Sequence, residues 1–143
     1  MPEIDGVTVN EIEVHSSALG YVKQLDGFEN SAVVMSYRDT IRAYYYDQNR
    51  NSNLVCVGGM IQAVLFDKRL DSSTRGEKQV VTMGDAKSVS LMIPAGVAFG
   101  YKAIGPNPSL VVCGMEDGVN WNDDTKIPVN DVEIDHDWKV QVC

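Results

Sequence analysis

Positive charge is scarce in this sequence. Its 143 residues include 12 Lys and Arg against 20 Asp and Glu, which gives a net charge of −8. A protein that binds nucleic acid over a broad surface needs clustered basic side chains, so we expect no nucleic-acid partner. The basic residues of the middle third, which include Arg38, Arg42, Arg50 and Lys68-Arg69, belong either to a solvated surface or to a site for one small anion.

Long apolar stretches are also lacking. The longest runs, such as residues 60–66, are far shorter than the roughly 20 residues that cross a bilayer as a helix. The N-terminus is acidic, whereas a secretory signal begins with basic residues followed by an apolar segment. We therefore expect a cytoplasmic protein with no membrane partner.

Histidine and cysteine are few and scattered. His15 and His136 are the two histidines, and neither has the spacing of a metal ligand, so we expect no metal and no cofactor. The three cysteines, Cys56, Cys113 and Cys143, form no CxxC motif. Cys56 and Cys113 lie in apolar runs, which predicts reduced thiols that act as small core side chains.

The sequence is rich instead in short β-branched and aromatic segments, separated by Gly, Pro, Asn and Asp. This pattern predicts an all-β fold, a jelly-roll of two packed sheets in one domain. The predicted strands are 31–37, 40–47, 53–57, 60–66, 77–83, 88–93, 97–103, 109–115 and a closing strand within 132–142. Gly58-Gly59 predicts a tight hairpin between its flanking strands, and Gly84-Asp85 a second strand pair. Residues 12–25 form either a strand pair or a short helix.

Three stretches carry a resemblance to a known family. They are Thr40–Tyr46 (TIRAYYY), residues 53–76 with the pattern D-x-R-x-x-S-x-T-x-G, and residues 93–105 (IPAGVAFGYKAIG). From about residue 30 to residue 128 the chain resembles the dTDP-4-dehydrorhamnose 3,5-epimerase family of cupins. The resemblance implies a cupin-type jelly-roll (double-stranded β-helix) barrel over residues 1–143. It also implies a homodimer and a metal-independent isomerase of deoxysugar biosynthesis that acts on a nucleotide sugar.

The sequence departs from the family pattern at the reacting positions. Tyr45 stands where the family has the His of R-G-L-H-Y, and Phe99 where it has the His of A-H-G. Asn53 replaces a lysine, and no tyrosine occurs near Val119, where the family has one. Arg42, which in the family helps to hold the nucleotide diphosphate, is retained.

Alternation along a β-strand predicts which of these side chains share a face. If Tyr45 takes the direction of the family histidine, as the resemblance implies, it points into the barrel with Ala43 and Asp47, and Arg42 lies on the opposite face with Tyr44 and Tyr46. Tyr45 is either a barrel-filling side chain in contact with the ligand or a proton-transfer residue. A phenol has a reference pKa of about 10, and a neighbouring Arg42 would favour the phenolate. The candidate ligand-binding residues are Arg42, Tyr44, Asp47, Asn53, Gln62, Phe99 and Tyr101.

Three functions remain open. The first is a nucleotide-sugar epimerase or isomerase with a rebuilt site, acting on a dTDP-linked 4-keto-6-deoxy sugar. The second is a non-catalytic cupin that binds a small molecule or serves as a scaffold. The third is a barrel with a different reaction on an apolar substrate, because one fold supports many functions. Loss of the family's reacting side chains favours altered or lost 3,5-epimerase chemistry.

Overall fold

The computed structural model describes residues 3–18, 20–23, 31–115 and 126–139, and its regular elements are all β-strands. The strands are β1 (Thr8–Glu11), β2 (Val14–Ser17), β3 (Gly20–Lys23), β4 (Ser31–Ser36), β5 (Ile41–Tyr45), β6 (Ser52–Gly58), β7 (Met60–Asp67), β8 (Lys78–Gly84), β9 (Val89–Ile93), β10 (Val97–Ala103) and β11 (Ser109–Met115). Every strand predicted between residues 31 and 115 is confirmed. A search of the described residues finds no apolar helix of membrane-spanning length.

Two antiparallel sheets form the body of the protein. The five-stranded sheet has the order β1-β9-β6-β11-β4, and the four-stranded sheet has the order β5-β10-β7-β8. The strands β2 and β3 pair with each other in a small third sheet, so the strand-pair alternative for residues 12–25 is correct. This arrangement confirms the predicted all-β jelly-roll.

The core lies between the two large sheets and follows strand alternation. On β9, Val89, Leu91 and Ile93 are buried, whereas Met92 is exposed on the other face, as predicted. Fully buried partners come from both sheets and include Leu54, Cys56, Ile61, Leu65, Met83 and Val111. Burial of one large aliphatic side chain contributes about 1.5–3 kcal/mol.

The predicted hairpin at Gly58-Gly59 is wrong. The strand β6 pairs with β9 and β11, whereas β7 belongs to the other sheet. Gly59 has a φ of 71°, and a Cβ atom there would lie 2.6 Å from the carbonyl oxygen of Pro108. The glycines therefore serve a corner at which the chain changes sheet, and not a turn between paired strands.

The predicted pairing around Gly84-Asp85 is wrong in the same way. The strands β8 and β9 lie in different sheets. The backbone N–H of Asp85 donates to the carbonyl of Gly59 over 2.9 Å, and the Asp85 carboxylate accepts from the N–H of Gly59 over 2.9 Å. The two glycine corners thus hold each other at one end of the barrel.

The C-terminal segment packs on the outer face of the four-stranded sheet. Ile134 and Trp138 lie against Tyr44, Phe66 and Ala98. Residues 132–139 form no strand, so the predicted closing strand is wrong in its described part, and residues 140–143 lie outside the described residues. Two buried apolar side chains dock this segment without a ladder of backbone hydrogen bonds.

Candidate functional site

An irregularity in β5 sets the geometry of the candidate site. On β10, Phe99 and Tyr101 are two residues apart, whereas their partners on β5, Tyr45 and Arg42, are three residues apart. The extra residue on β5 is a bulge, which turns side chains that simple alternation would separate toward the same face. Arg42 and Tyr45 therefore both point into the barrel, and the prediction that they face opposite ways is wrong. Ala43 lies in the outer cluster with Tyr44 instead.

The inward side chains of β5 and β10 surround a cavity of about 330 Å³ between the two sheets. Its lining residues are Ala32, Val34 and Cys113 from the five-stranded sheet and Arg42, Tyr45, Phe99 and Tyr101 from the four-stranded sheet. The volume is at the lower end of the range for small-molecule pockets, and the lining is mostly apolar, as in such pockets. Four of the predicted site residues thus meet at one cavity.

Arg42 is the charged member of this lining. Its Nε donates a hydrogen bond of 2.6 Å to the Ser36 hydroxyl, and its Nη2 donates one of 3.2 Å to the carbonyl oxygen of Met35. Both acceptors belong to the end of β4, in the opposite sheet. The guanidinium is therefore held at the cavity wall by neighbouring strand residues, and no lining carboxylate neutralises it.

Aromatic rings form the part of the wall beside Arg42. The rings of Tyr45 and Phe99 are 5.7 Å apart at an angle of 41°. The ammonium group of Lys126 lies 5.9 Å from the centre of the Tyr45 ring, at the outer limit of a cation–π contact. Tyr101 is almost fully buried.

The two phenols and the thiol of the lining are neutral acids at pH 7. Burial raises the pKa of Tyr45, although the nearby Arg42 guanidinium opposes the shift. Burial likewise raises the pKa of Tyr101, and it raises the pKa of the Cys113 thiol to about 12. Each group can donate a proton or a hydrogen bond, but none is poised to accept a proton near neutral pH.

The other predicted ligand-binding residues lie outside this lining. Tyr44 faces Trp138 on the outer side, with the ring centres 5.7 Å apart. Gln62 is on that side too, with its Oε1 3.2 Å from Nε2 of His136. The carboxylate of Asp47 accepts the backbone N–H of Asn49 over 2.8 Å. Asn53 pairs with Met92 and Gly114 in the five-stranded sheet.

The sequence did not lead us to the lining residues Ala32, Val34 and Cys113, or to Ser36, which holds Arg42. Alternation along β4 puts Ala32, Val34 and Ser36 on one face. The hydroxyl of Ser36 is the polar group on that apolar face, and this could have indicated a site residue. Cys113 was placed in the core because a thiol inside an apolar run gives no further indication.

The D-x-R-x-x-S-x-T stretch has a structural role in this molecule. The carboxylate of Asp67 is fully buried and accepts hydrogen bonds from the Arg69 side chain at 3.0 Å and from Thr74 Oγ1 at 2.7 Å, with a further one from Ser72. Burial alone would raise the pKa of Asp67, but these hydrogen bonds outweigh it and hold the pKa well below its usual value. The network closes the loop that follows β7.

No metal centre is apparent in the part of the chain that the structure describes. Nowhere in it do three His, Cys, Asp or Glu side chains come together as metal ligands would. The position near Val119 and Cys143 lie outside the described residues.

Comparison with known proteins matches residues 3–143 to the dTDP-4-dehydrorhamnose 3,5-epimerase family. The spore coat polysaccharide biosynthesis protein SpsL of Bacillus subtilis is 31% identical over 148 residues, covering 96% of this chain and 98% of SpsL. A dTDP sugar isomerase structure from Desulfovibrio desulfuricans superposes with a TM-score of 0.85 at 22% identity, covering 94% of this chain and 92% of that one. A 3,5-epimerase of Legionella pneumophila, solved with dTDP-4-keto-L-rhamnose, has a TM-score of 0.80 at 18% identity and coverages of 98% and 82%.

Proposed function

The chain belongs to the dTDP-4-dehydrorhamnose 3,5-epimerase family, and from that premise we propose that its cavity binds a dTDP-linked 4-keto-6-deoxy sugar. In this proposal the standard 3,5-epimerisation is altered or lost. Arg42 binds the anionic part of the ligand, Phe99 and Tyr101 contact its apolar faces, and Tyr45 donates to the sugar carbonyl. The Legionella relative, which contains a dTDP-linked keto sugar, supports this choice of ligand class.

One observation carries the proposal: the described residues that line the cavity include one cation, Arg42, and three neutral acids, Tyr45, Tyr101 and Cys113, but no base. Epimerisation next to a ketone begins when a base takes the proton from the carbon, and a group with a pKa near the working pH does this best. Burial raises the pKa of Tyr45 away from that range. The neutral phenol suits the other half of the reaction, in which an acid donates to the carbonyl oxygen.

Binding and turnover are tested in two steps. Thermal stability is measured with dTDP, dTDP-glucose, UDP-glucose and free sugars, because a ligand that binds the folded state raises the melting temperature. We expect a rise with dTDP and its sugar that Arg42→Gln abolishes. Arg38→Gln, which removes an exposed arginine, is the matched control and leaves the rise intact. No rise with any nucleotide would refute the proposed ligand.

The second step is incubation with dTDP-4-keto-6-deoxyglucose in deuterated water. Abstraction of a carbon-bound proton and its return from solvent would place deuterium next to the ketone. We expect exchange that is slow or confined to one carbon. Rapid exchange at both C3 and C5 would refute the proposal that the family chemistry is altered.

The second candidate function is a non-catalytic nucleotide-sugar binder, and the absence of a poised base among the lining residues favours it. It shares the binding step with the first candidate and differs in turnover. Stabilisation by dTDP without any deuterium incorporation would select it. Conversion over multiple turnovers would exclude it.

We also propose that the protein is a cytoplasmic homodimer. Three apolar side chains on the outer face of β4 and β11 are exposed, namely Val33 at 68%, Met35 at 44% and Leu110 at 40%. A contiguous apolar surface on a sheet is a common site of association. Size-exclusion chromatography with light scattering is expected to give twice the chain mass, and a monomeric mass would contradict the proposal.

A further inference from the structure

We propose that Ser36 is a positioning residue that aims the Arg42 guanidinium so that it meets a phosphate oxygen of the ligand end-on. The inference rests on the proposed function, in that the anionic group is taken to be the phosphate of a nucleotide sugar. It goes beyond that function because Ser36 does not line the cavity and acts through Arg42.

Ser36 is placed to do this by its burial and its contacts. Its side chain is 1% exposed, and its Oγ accepts the Arg42 Nε–H over 2.6 Å. The carbonyl oxygen of the preceding residue, Met35, accepts from Nη2 over 3.2 Å. Two successive residues at the end of β4 therefore occupy one edge of the guanidinium plane.

The occupied edge determines how Arg42 can meet a ligand. A guanidinium usually binds phosphate or carboxylate through two parallel N–H bonds, and the edge formed by Nε and Nη2 is one of the two that allow this. In this protein that edge faces Ser36 and Met35. The remaining N–H groups, on Nη1 and Nη2, are not used by Ser36 or Met35, and Arg42 lines the cavity. A phosphate oxygen therefore approaches Arg42 from its end.

Tyr101 is the strand neighbour of Arg42, because the two residues pair between β10 and β5, and both line the cavity. The Ser36 hydroxyl accepts from Arg42 and therefore orients a cation that lies beside a phenol. Removal of this hydroxyl leaves the Arg42 Nε–H without its acceptor, and the Met35 carbonyl then remains as the acceptor at this edge.

The chain offers a matched control in Ser109. This residue lies directly opposite Ser36 in the pairing of β11 with β4 and is also fully buried. Within the described residues its hydroxyl has no hydrogen-bond partner. Ser109→Ala and Ser36→Ala therefore each remove a hydroxyl group from neighbouring buried positions. Of these two hydroxyl groups, the Ser36 one contacts Arg42.

The first measurement needs no ligand. In ¹⁵N-labelled protein the Arg42 Nε–H signal is identified as the one missing from the spectrum of Arg42→Gln. The rate at which this hydrogen exchanges with water is compared with the rate for the Nε–H of the exposed Arg38. We expect exchange of Arg42 to be at least about tenfold slower, because a hydrogen bond to a charged group is strong. Ser36→Ala removes this protection, and Ser109→Ala retains it. Equally fast exchange at Arg42 and Arg38 in the unsubstituted protein overturns the inference, whether or not Ser36→Ala folds.

The second measurement is the dissociation constant of dTDP by calorimetry. We expect Ser36→Ala to raise the dissociation constant of dTDP about tenfold and Ser109→Ala to leave it unchanged. In the Arg42→Gln background, Ser36→Ala should have no further effect on this constant. Additive effects of Ser36 and Arg42 overturn the inference. If the unsubstituted protein does not bind dTDP while Arg42 Nε–H is protected, the proposed function fails and the orientation of Arg42 by Ser36 stands.

Discussion

Replacement of Asp67 by Asn tests the hydrogen-bond network around this buried carboxylate. The Asp67 side chain has no exposed surface, and Arg69, Ser72 and Thr74 all donate to its carboxylate. Asparagine keeps the shape but removes the charge, and its amide nitrogen cannot accept the hydrogen bonds that one carboxylate oxygen accepts now. The Arg69 side chain, 26% exposed, loses its counter-ion while its position stays confined.

The size of the effect follows from burial. Removal of one partner of a fully buried ion pair costs about 3–5 kcal/mol, and partial access of water to Arg69 reduces this to about 2–3 kcal/mol. For a chain of this length each kcal/mol lowers the melting temperature by about 3–4 °C. We therefore expect Asp67→Asn to melt roughly 10 °C below the unsubstituted protein at pH 7.

The pH dependence gives an independent check. The pKa of Asp67 is lower in the folded state than its usual value of 3.8, so its contribution is present above pH 4 and is lost as the pH falls further. Urea denaturation at pH 7 and at about pH 3 is expected to show a smaller difference between the two proteins at low pH. Asp71→Asn, in the same loop and exposed, is the control. If Asp67→Asn costs no more than Asp71→Asn at pH 7, the assignment of the network as the anchor of this loop is refuted.

Three further predictions concern the C-terminal segment and the corner. Burial and the nearby Lys78 lower the pKa of His136, so stability falls as the pH drops through about 6.5; urea midpoints at pH 7.5 and 5.5 should differ by less in His136→Asn than in the unsubstituted protein, and an unchanged difference would contradict this role. Trp138→Ala should lower the free energy of unfolding by about 3–5 kcal/mol, since the indole is 8% exposed; a loss below about 1 kcal/mol in urea denaturation would contradict docking of the segment on the sheet. Gly59→Ala should lower the melting temperature more than Gly105→Ala. Both glycines have positive φ, but only a Cβ at Gly59 would meet Pro108, at 2.6 Å. Equal losses of melting temperature would contradict the role of Gly59 at the corner between the sheets.

The strands were readable from the sequence because each is a local pattern. Apolar residues alternate along Val89–Ile93, and Gly, Pro, Asn or Asp separates one strand from the next. The fold class followed from the same segments, and the family from three motifs in a fixed order. Arg42, Tyr45, Phe99 and Tyr101 were all predicted as site residues from those motifs, and the structure places all four at one cavity.

Local patterns do not determine which strands pair. Gly58-Gly59 has the composition of a hairpin turn, yet β6 and β7 lie in different sheets. A turn sequence specifies only that the chain reverses or bends within a few residues. The partner of a strand depends on which distant strands bury its face, and for β6 these are β9 and β11.

The sequence by itself determined the strands between residues 31 and 115 and the identity of the family. Only the tertiary structure decided which side chains meet at the site. Alternation separates Arg42 from Tyr45, and the bulge opposite Phe99 and Tyr101 brings them to one face. Ser36 reaches Arg42 because the end of β4 packs across the cavity from β5. The physical reason is that a bulge and a contact between sheets arise from the pairing and packing of separate strands, which no single segment encodes.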